Sequence, residues 1–255
     1  MLLVIDAGNT HIAIGVYKGE DLMLVSRLAT DRTLTEDRFA IDVTSILSIN
    51  GIDINCFSGA VISSVVPEIT RALSKGVTMV TGCKPIILGP GVKTGLNIKL
   101  DNPAELGADL AATAVGALKQ YELPCVILDL GTATKVTILD EDGAFLGGAI
   151  APGVQISLDA LANGASQLSS IAISTPRKVI GTNTPECIRA GLVLGTADML
   201  DGLCDRMEAE LGKEIKTFVA TGGLCRVVVK NCRHKMIVNE ELLLEGLREV
   251  YLRNT

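Results

Sequence analysis

Apolar residues along the chain fall in short runs separated by helical stretches, and the runs come in two similar sets. Residues 1–5 (MLLVI) form an unbroken apolar run, the pattern of a strand buried on both faces, and 11–17 (HIAIGVY) reads as its hairpin partner with mixed burial. Residues 22–29 predict a third strand that completes a meander. From Thr35, Glu36 and Asp37 a helix is expected to run to about residue 49, because Phe39, Val43, Ile46 and Leu47 are spaced for one helix face. Residues 59–66 (GAVISSVV) predict another buried strand, stopped by Pro67. A short helix over 68–75 and short strands over 77–80 and 85–88 follow, and Gly89, Pro90, Gly91 and Gly95 mark a loop. An Ala-rich helix is expected over 103–118, entered through Asp101 and Asn102.

The second set begins at residue 126. Residues 126–130 predict a buried strand, and 136–140 with 145–150 a hairpin around Glu141, Asp142 and Gly143, so the opening meander is repeated. Helices are expected over 155–168 and 184–211, then a strand over 217–220, a loop at Thr221, Gly222 and Gly223, and a last helix over 240–253. Strand-rich openings followed by helices in both halves predict a duplicated α/β fold. The boundary is expected near 120–124, giving domains over 1–120 and 121–255, with the last helix able to pack back on the first half.

Composition adjusts this picture in three ways. With 48% hydrophobic residues, 3% aromatic and no Trp, the core must be built from Val, Ile, Leu and Ala, which suits a sheet flanked by helices. The net charge of −6 argues against nucleic acid as a partner, and the one basic concentration, 226–235, is short and interleaved with Val and Cys. Seven scattered cysteines form no Cys-x-x-Cys pair, and His11 and His234 are the only histidines, so no zinc-ligand spacing is present. Most of the cysteines are expected to be buried reduced thiols, which fits a cytoplasmic protein. The N-terminus lacks the features of a signal peptide, and no uninterrupted run of about 18 apolar residues predicts a membrane span.

Chemistry is concentrated where the two sets agree. Asp6-Ala7-Gly8-Asn9-Thr10 closes the first strand, and Asp129-Leu130-Gly131-Thr132-Ala133-Thr134 recurs half a chain later. An acid at a strand end, Gly without a Cβ, and short hydroxyl or amide side chains allow a backbone to approach phosphate closely and offer it donors. Singly, Asp-x-Gly is a common turn. Twice, in the same context, it implies a nucleotide phosphate chain held by two related halves. Neither a Walker loop nor Gly-x-Gly-x-x-Gly after a strand is present.

The repeated loop resembles those of the acetate kinase, sugar kinase, Hsp70 and actin group. That resemblance implies two ribonuclease-H-like domains in an actin-like ATPase fold, with the active site in the cleft between domains. A more specific resemblance rests on ordered motifs. Asp6 to Thr10, Ile62-Ser63-Ser64-Val65-Val66-Pro67, Asn102-Pro103 with Gly107-Ala108-Asp109, Asp129 to Thr134, Gly147-Gly148-Ala149-Ile150-Ala151-Pro152-Gly153, Asn183-Thr184 and Thr221-Gly222-Gly223 occur in the order of the type III pantothenate kinase family. The likeness continues into the tail at Gly246, Leu247, Tyr251, Arg253 and Asn254.

The resemblance implies a kinase that passes the γ-phosphoryl group of ATP to pantothenate, the first step of coenzyme A biosynthesis. Asp6 would hold Mg²⁺ through its water shell, with Ala7, Gly8, Asn9 and Thr10 lining the phosphates. Asp129 would contribute to a site for a monovalent cation, K⁺ or NH₄⁺, while Thr132, Thr221, Gly222 and Gly223 would touch the nucleotide. Asp109 matches the general base, with Gly107 and Ala108 beside the acceptor and Thr184 contacting it. A homodimer is also implied, and the Leu158, Leu161 and Leu168 stripe is a candidate interface that reads equally well as a buried helix face. His11, just after the first loop, could approach phosphate or pack on its strand.

Three positions depart from the family pattern. Leu110 stands where the resemblance implies an Arg for the pantothenate carboxylate, Leu100 stands for an acceptor-side Tyr, and Lys135 for a Thr. Lys135 is therefore a candidate to restore the missing cation on the acceptor side, or else an exposed strand residue. An altered pocket that takes a different small hydroxylated acceptor is one alternative. A non-catalytic nucleotide-binding relative is another, although a binding module has no need of Asp109.

Overall fold

The computed structural model describes residues 1–164 and 171–255. They divide into two compact units, Met1–Leu96 with Asn102–Gly116 and Leu242–Thr255, and Asn97–Asp101 with Ala117–Glu241. The division differs from a single cut after residue 120, because the closing segment belongs with the first unit.

In the first unit β1 (Leu2–Ala7), β2 (His11–Lys18), β3 (Asp21–Ala29), β4 (Gly59–Ser64) and β5 (Ile86–Ile87) form one sheet in the order β3-β2-β1-β4-β5. β1, β2 and β3 are an antiparallel meander, whereas β4 and β5 lie parallel to β1. The central position of β1 explains its unbroken apolar run, since both of its faces are covered.

One face is covered by α1 (Glu36–Ile49) and α2 (Pro67–Thr81). Thr35 caps α1 by accepting from the Arg38 N–H, and Phe39, Val43 and Leu47 repeat every four residues on the buried side. Pro67 starts α2, and Gly82, at φ +70°, ends it in the left-handed conformation. The strand expected over 77–80 is the last turn of α2. Its Val77 and Val80 continue the buried stripe of Ile69 and Leu73, so helical burial overrides the β-branched composition.

The other face is covered by α3 (Ala108–Gln120) and the closing helix, α8 (Leu242–Asn254). Ala111, Ala112 and Val115 of α3 join Leu244, Leu247 and Val250 of α8 against Leu2, Val4 and Val61. This apolar face is why the C-terminal helix returns to the N-terminal unit. The helix expected over 103–118 is in fact two elements: a single tight turn at Pro103–Glu105, capped by the Asn102 side chain, and then α3. Gly107 interrupts them.

The second unit repeats the first. β7 (Cys125–Leu130), β8 (Ala133–Leu139), β9 (Ala144–Pro152), β10 (Thr217–Thr221), β11 (Ile237–Val238) and a short β6 (Asn97–Ile98) form a sheet in the order β11-β10-β7-β8-β9-β6. β7 to β9 are the antiparallel meander, and β10 and β11 lie parallel to β7. Without β6 this is the order of the first sheet, so each half has the ribonuclease-H-like topology. α4 (Val154–Gly164) and a helical run from α5 (Thr184–Arg189) through a wide turn at Ala190–Leu194 into α6 (Gly195–Leu211) accompany it, with α7 (Cys225–Val229) after β10. Leu128, Leu130 and Val136 of the sheet pack with Val154, Leu200, Cys204 and Val228 from these helices. The helix expected over 155–168 is α4 as far as Gly164; residues 165–168, including Leu168, lie outside the described residues.

All seven cysteines are free thiols. Burial pushes Cys125, Cys204 and Cys232 up to about 12, because a thiolate there would be stripped of water. At pH 8 these three stay protonated, and exposed Cys187 is expected to be alkylated by iodoacetamide well before them. Peptide mapping of a time course checks this. Among the described residues no helix is long and apolar enough to cross a membrane.

Candidate active site

The two acidic loops occupy equivalent places in the two units. Asp6 lies near the end of β1, opposite Ala13 of β2 and Ser63 of β4. Asp129 lies near the end of β7, opposite Lys135 of β8 and Thr221 of β10. The sequence repeat is therefore a structural one.

After Ala7 the first loop turns tightly. The Gly8 N–H donates to the His11 carbonyl at 3.0 Å, and Thr30, just past β3, holds the loop, its hydroxyl donating to the Gly8 carbonyl at 2.7 Å and its N–H to the Thr10 carbonyl at 3.0 Å. Asn9 and Thr10 are exposed and carry N–H and O–H donors of the kind that phosphate oxygens accept from. His11 serves this turn through its backbone, and its side chain is exposed. Arg32 is a neighbour that sequence reasoning missed. It donates to Asn9 Oδ1 at 3.4 Å and to Glu68 at 2.9 Å, adding a cation beside the loop.

The second loop is braced by glycines. The Gly131 N–H donates to the Ala133 carbonyl at 3.2 Å, and Thr132 is exposed at the tip. A Cβ on Gly153 would lie 2.6 Å from the Gly131 carbonyl oxygen, and one on Gly222 would lie 2.6 Å from that of Leu130. Gly222 also has φ +89°, in the left-handed region open mainly to glycine. The Thr221-Gly222-Gly223 loop thus packs directly on the Asp129 loop, while Thr221 is beside Asp129 in register. Lys135 Nζ donates to Asp129 Oδ2 at 2.9 Å, with the two side chains only 18% and 17% exposed.

Asp109 sits in the first turn of α3. The Gly107 interruption puts it there, instead of in mid-helix as a single helix over 103–118 would have done. Unpaired N–H groups at a helix start favour negative charge. The Leu110 N–H donates to Asp109 Oδ1 at 2.8 Å, and a Cβ on Gly107 would come within 2.6 Å of the same oxygen, so glycine keeps that space open. Ala108 and Leu110 flank it, both half-buried. These residues, with Asp6 to Thr10, belong to the first unit, whereas Leu100, Asp129, Thr132, Lys135, Thr184 and 221–223 belong to the second. Leu100 lies against Gly147 of β9, 3.2 Å from where a Cβ would stand there. Thr184 is the exposed first residue of α5, whose N-terminus is capped by Asn183 accepting from the Glu186 N–H at 3.0 Å.

Residues 2–206 match the model of the family described as type III pantothenate kinase. The chain belongs to the type III pantothenate kinase family. A type III pantothenate kinase of Halalkalibacterium halodurans is 41% identical over 254 residues, covering 100% of both chains. One from Moorella thermoacetica is 40% identical over 257 residues, again covering 100% of both. Among solved structures, the ROK hexokinase of Thermus thermophilus superposes with a TM-score of 0.53 at 15% identity, covering 99% of this chain and 98% of that one. At that identity the likeness is one of fold, and it agrees with the duplicated topology.

In the first loop Asp6 is the side chain whose chemistry could hold a metal ion. Among the described residues no group of three or more His, Cys, Asp and Glu side chains could hold a metal ion. A single strand-end carboxylate beside an amide and a hydroxyl is a donor set for a hard cation that keeps most of its waters and takes other oxygens from phosphate. The fit at Asp129 is different, because an ammonium group is already there.

Proposed function

We propose that this protein transfers the γ-phosphoryl group of ATP to the primary hydroxyl of pantothenate, giving 4′-phosphopantothenate and ADP. This is the first step of coenzyme A biosynthesis. The observation that carries the reading is the end-to-end match, at 41% identity, to a relative named for this activity.

In the proposed reaction Asp109 accepts the hydroxyl proton as the acceptor oxygen attacks the γ-phosphorus. The new O–P bond forms while the bond from that phosphorus to the β,γ-bridging oxygen breaks, and ADP leaves. Position and charge compensation supply most of the catalysis in such transfers. Asn9 and Thr10 would donate to phosphate oxygens from a loop fixed by Thr30, and the Ala7–Gly8 backbone permits close approach. Asp6 would hold Mg²⁺, which when bound neutralises charge on the β- and γ-phosphates. Thr132, Thr221, Gly222 and Gly223 are proposed to meet the nucleotide, and Gly107, Ala108, Leu110, Leu100 and Thr184 the acceptor.

Leu110 favours a second reading of the acceptor. Without the charge-assisted contact an Arg would give, a carboxylate there loses roughly 1.5–3 kcal/mol, about 10- to 150-fold in affinity. An acceptor lacking the carboxylate would lose nothing. The two readings separate in an ATP-turnover assay with pantothenate and with its alcohol analogue panthenol. We expect turnover only when acceptor is present, with pantothenate used. Leu110→Arg should lower the pantothenate KM about tenfold or more while moving that of panthenol by less than about twofold. Preference for panthenol would support the altered acceptor, and nucleotide binding without turnover on either would support a non-catalytic relative.

A cytoplasmic homodimer completes the proposal. Ile156 and Leu161 of α4 are 44% and 47% exposed, which supports an interface on this helix, whereas Leu158 is buried in its own unit. Light scattering on the purified protein tests the dimer.

A further inference from the structure

We infer that Lys135 is a tethered monovalent cation: its ammonium holds the Asp129 carboxylate where a K⁺ or NH₄⁺ ion is otherwise implied, so that the enzyme runs without either. The inference rests on the kinase reading above for its activity assay. Its structural basis is independent of which acceptor is used.

The two strand-end acids are equivalent, and so are the residues facing them across the antiparallel pair. Asp6 faces Ala13, which carries no charge. Asp129 faces Lys135, and the Lys135 Nζ lies 2.9 Å from Asp129 Oδ2. With side chains 18% and 17% exposed, the pair is largely shielded from water, where Coulomb attraction is stronger than at an open surface. The partners are placed by strand register rather than by a mobile loop, so the lysine stem has only to reach across one strand spacing.

The chemistry of the substitute matches that of the ion. A carboxylate beside a polyphosphate repels it unless a positive charge intervenes. An alkylammonium carries the single positive charge of K⁺ or NH₄⁺ and retains three N–H donors, so it can hold Asp129 and still face another oxygen. Being covalently attached, it is present at any salt composition. A second cation arriving at the same carboxylate would meet the ammonium charge, so the residues here do not fit a free monovalent ion. The contact gives the Lys135 ammonium a partner in the Asp129 loop, a role separate from the one expected of it at the acceptor carboxylate.

The test compares the wild-type protein with Lys135→Thr, a short hydroxyl side chain that leaves room for an ion. Protein and ATP are prepared as tris or tetramethylammonium salts, free of K⁺ and NH₄⁺, and phosphopantothenate formation is followed with and without added KCl or NH₄Cl. Wild type is expected to change by less than about twofold, and Lys135→Thr to fall at least about tenfold without the ion and recover when it is added. A wild-type enzyme activated about tenfold or more by K⁺ overturns the inference. Binding of thallous ion, a K⁺ surrogate, is read in parallel by thallium NMR with ADP present. Saturable binding to Lys135→Thr and none to wild type supports the inference, and saturable binding to wild type overturns it. Should Lys135→Thr fail to fold, both wild-type measurements still decide. Should no phosphopantothenate form under any condition, the kinase reading fails while the thallium result still judges Lys135.

Discussion

Replacing Asp109 with Asn is expected to lower kcat for pantothenate phosphorylation by about 10²- to 10⁴-fold, the usual contribution of a positioned general base. The amide is nearly isosteric. Its oxygen can still accept from the Leu110 N–H, as Asp109 Oδ1 does at 2.8 Å, and it fits the space that Gly107 leaves open. What is lost is the ability to take up the hydroxyl proton. Because the loops at Asp6 to Thr10 and Asp129 to Thr134, proposed to hold the nucleotide, are untouched, the ATP KM should stay within about twofold. Steady-state kinetics with each substrate varied in turn checks both statements. A kcat within tenfold of wild type would remove the base role from Asp109 and leave it as a helix-start acid.

Gly246→Val should have the largest effect on stability, about 3 kcal/mol and so roughly 6–12 °C in Tm. Gly246 of α8 lies against the backbone of α3. A Cβ there would overlap the Ala112 carbonyl and come within 3.0 Å of the Gly116 nitrogen. Backbone cannot yield as a flexible side chain does, so α8 would have to lift. Lifting it uncovers Leu244, Leu247 and Val250, which close one face of the first sheet over Leu2, Val4 and Val61. Gly202→Ala in α6 is the control, since a Cβ there meets nothing within 4 Å, and the helix should gain about 0.5–1 kcal/mol. Thermal melts of the two variants should therefore move in opposite directions. Equal small shifts would show that α8 is not tightly seated on α3.

Much of this fold was legible because its strongest signals are local. The apolar runs at 1–5 and 126–128 could be read directly, each followed by an acid and, two residues later, a glycine, and each lies in an interior strand of its sheet. Where local and tertiary signals conflict, the reading failed. Val77-Thr78-Met79-Val80 looks like a strand in isolation, but the burial of Ile69, Leu73 and Val77 at four-residue intervals makes it helix. β6 and β11 have two residues each, too few for any periodicity to show. The division into units was blurred by α8, whose partner surface is formed by residues more than 100 positions earlier.

The site shows the same split. Asp6, Asp109 and Asp129 stand out as candidates from their motifs, because each motif is a continuous stretch of chain. The pairing of Lys135 does not, since it depends on the register of β7 against β8, and the sequence suggested an acceptor-side role. Arg32 lacked any motif. Only the return of β3 beside the first loop brings it to Asn9.

The central claim is that this chain phosphorylates pantothenate, and mass spectrometry of the reaction product tests it most directly. Purified protein with Mg²⁺, ATP and pantothenate should yield 4′-phosphopantothenate, in K⁺-free buffer as well as in KCl, and the Asp109→Asn protein should yield almost none. Bound ATP with no phosphorylated pantothenate from the wild-type protein, in either buffer, would contradict it.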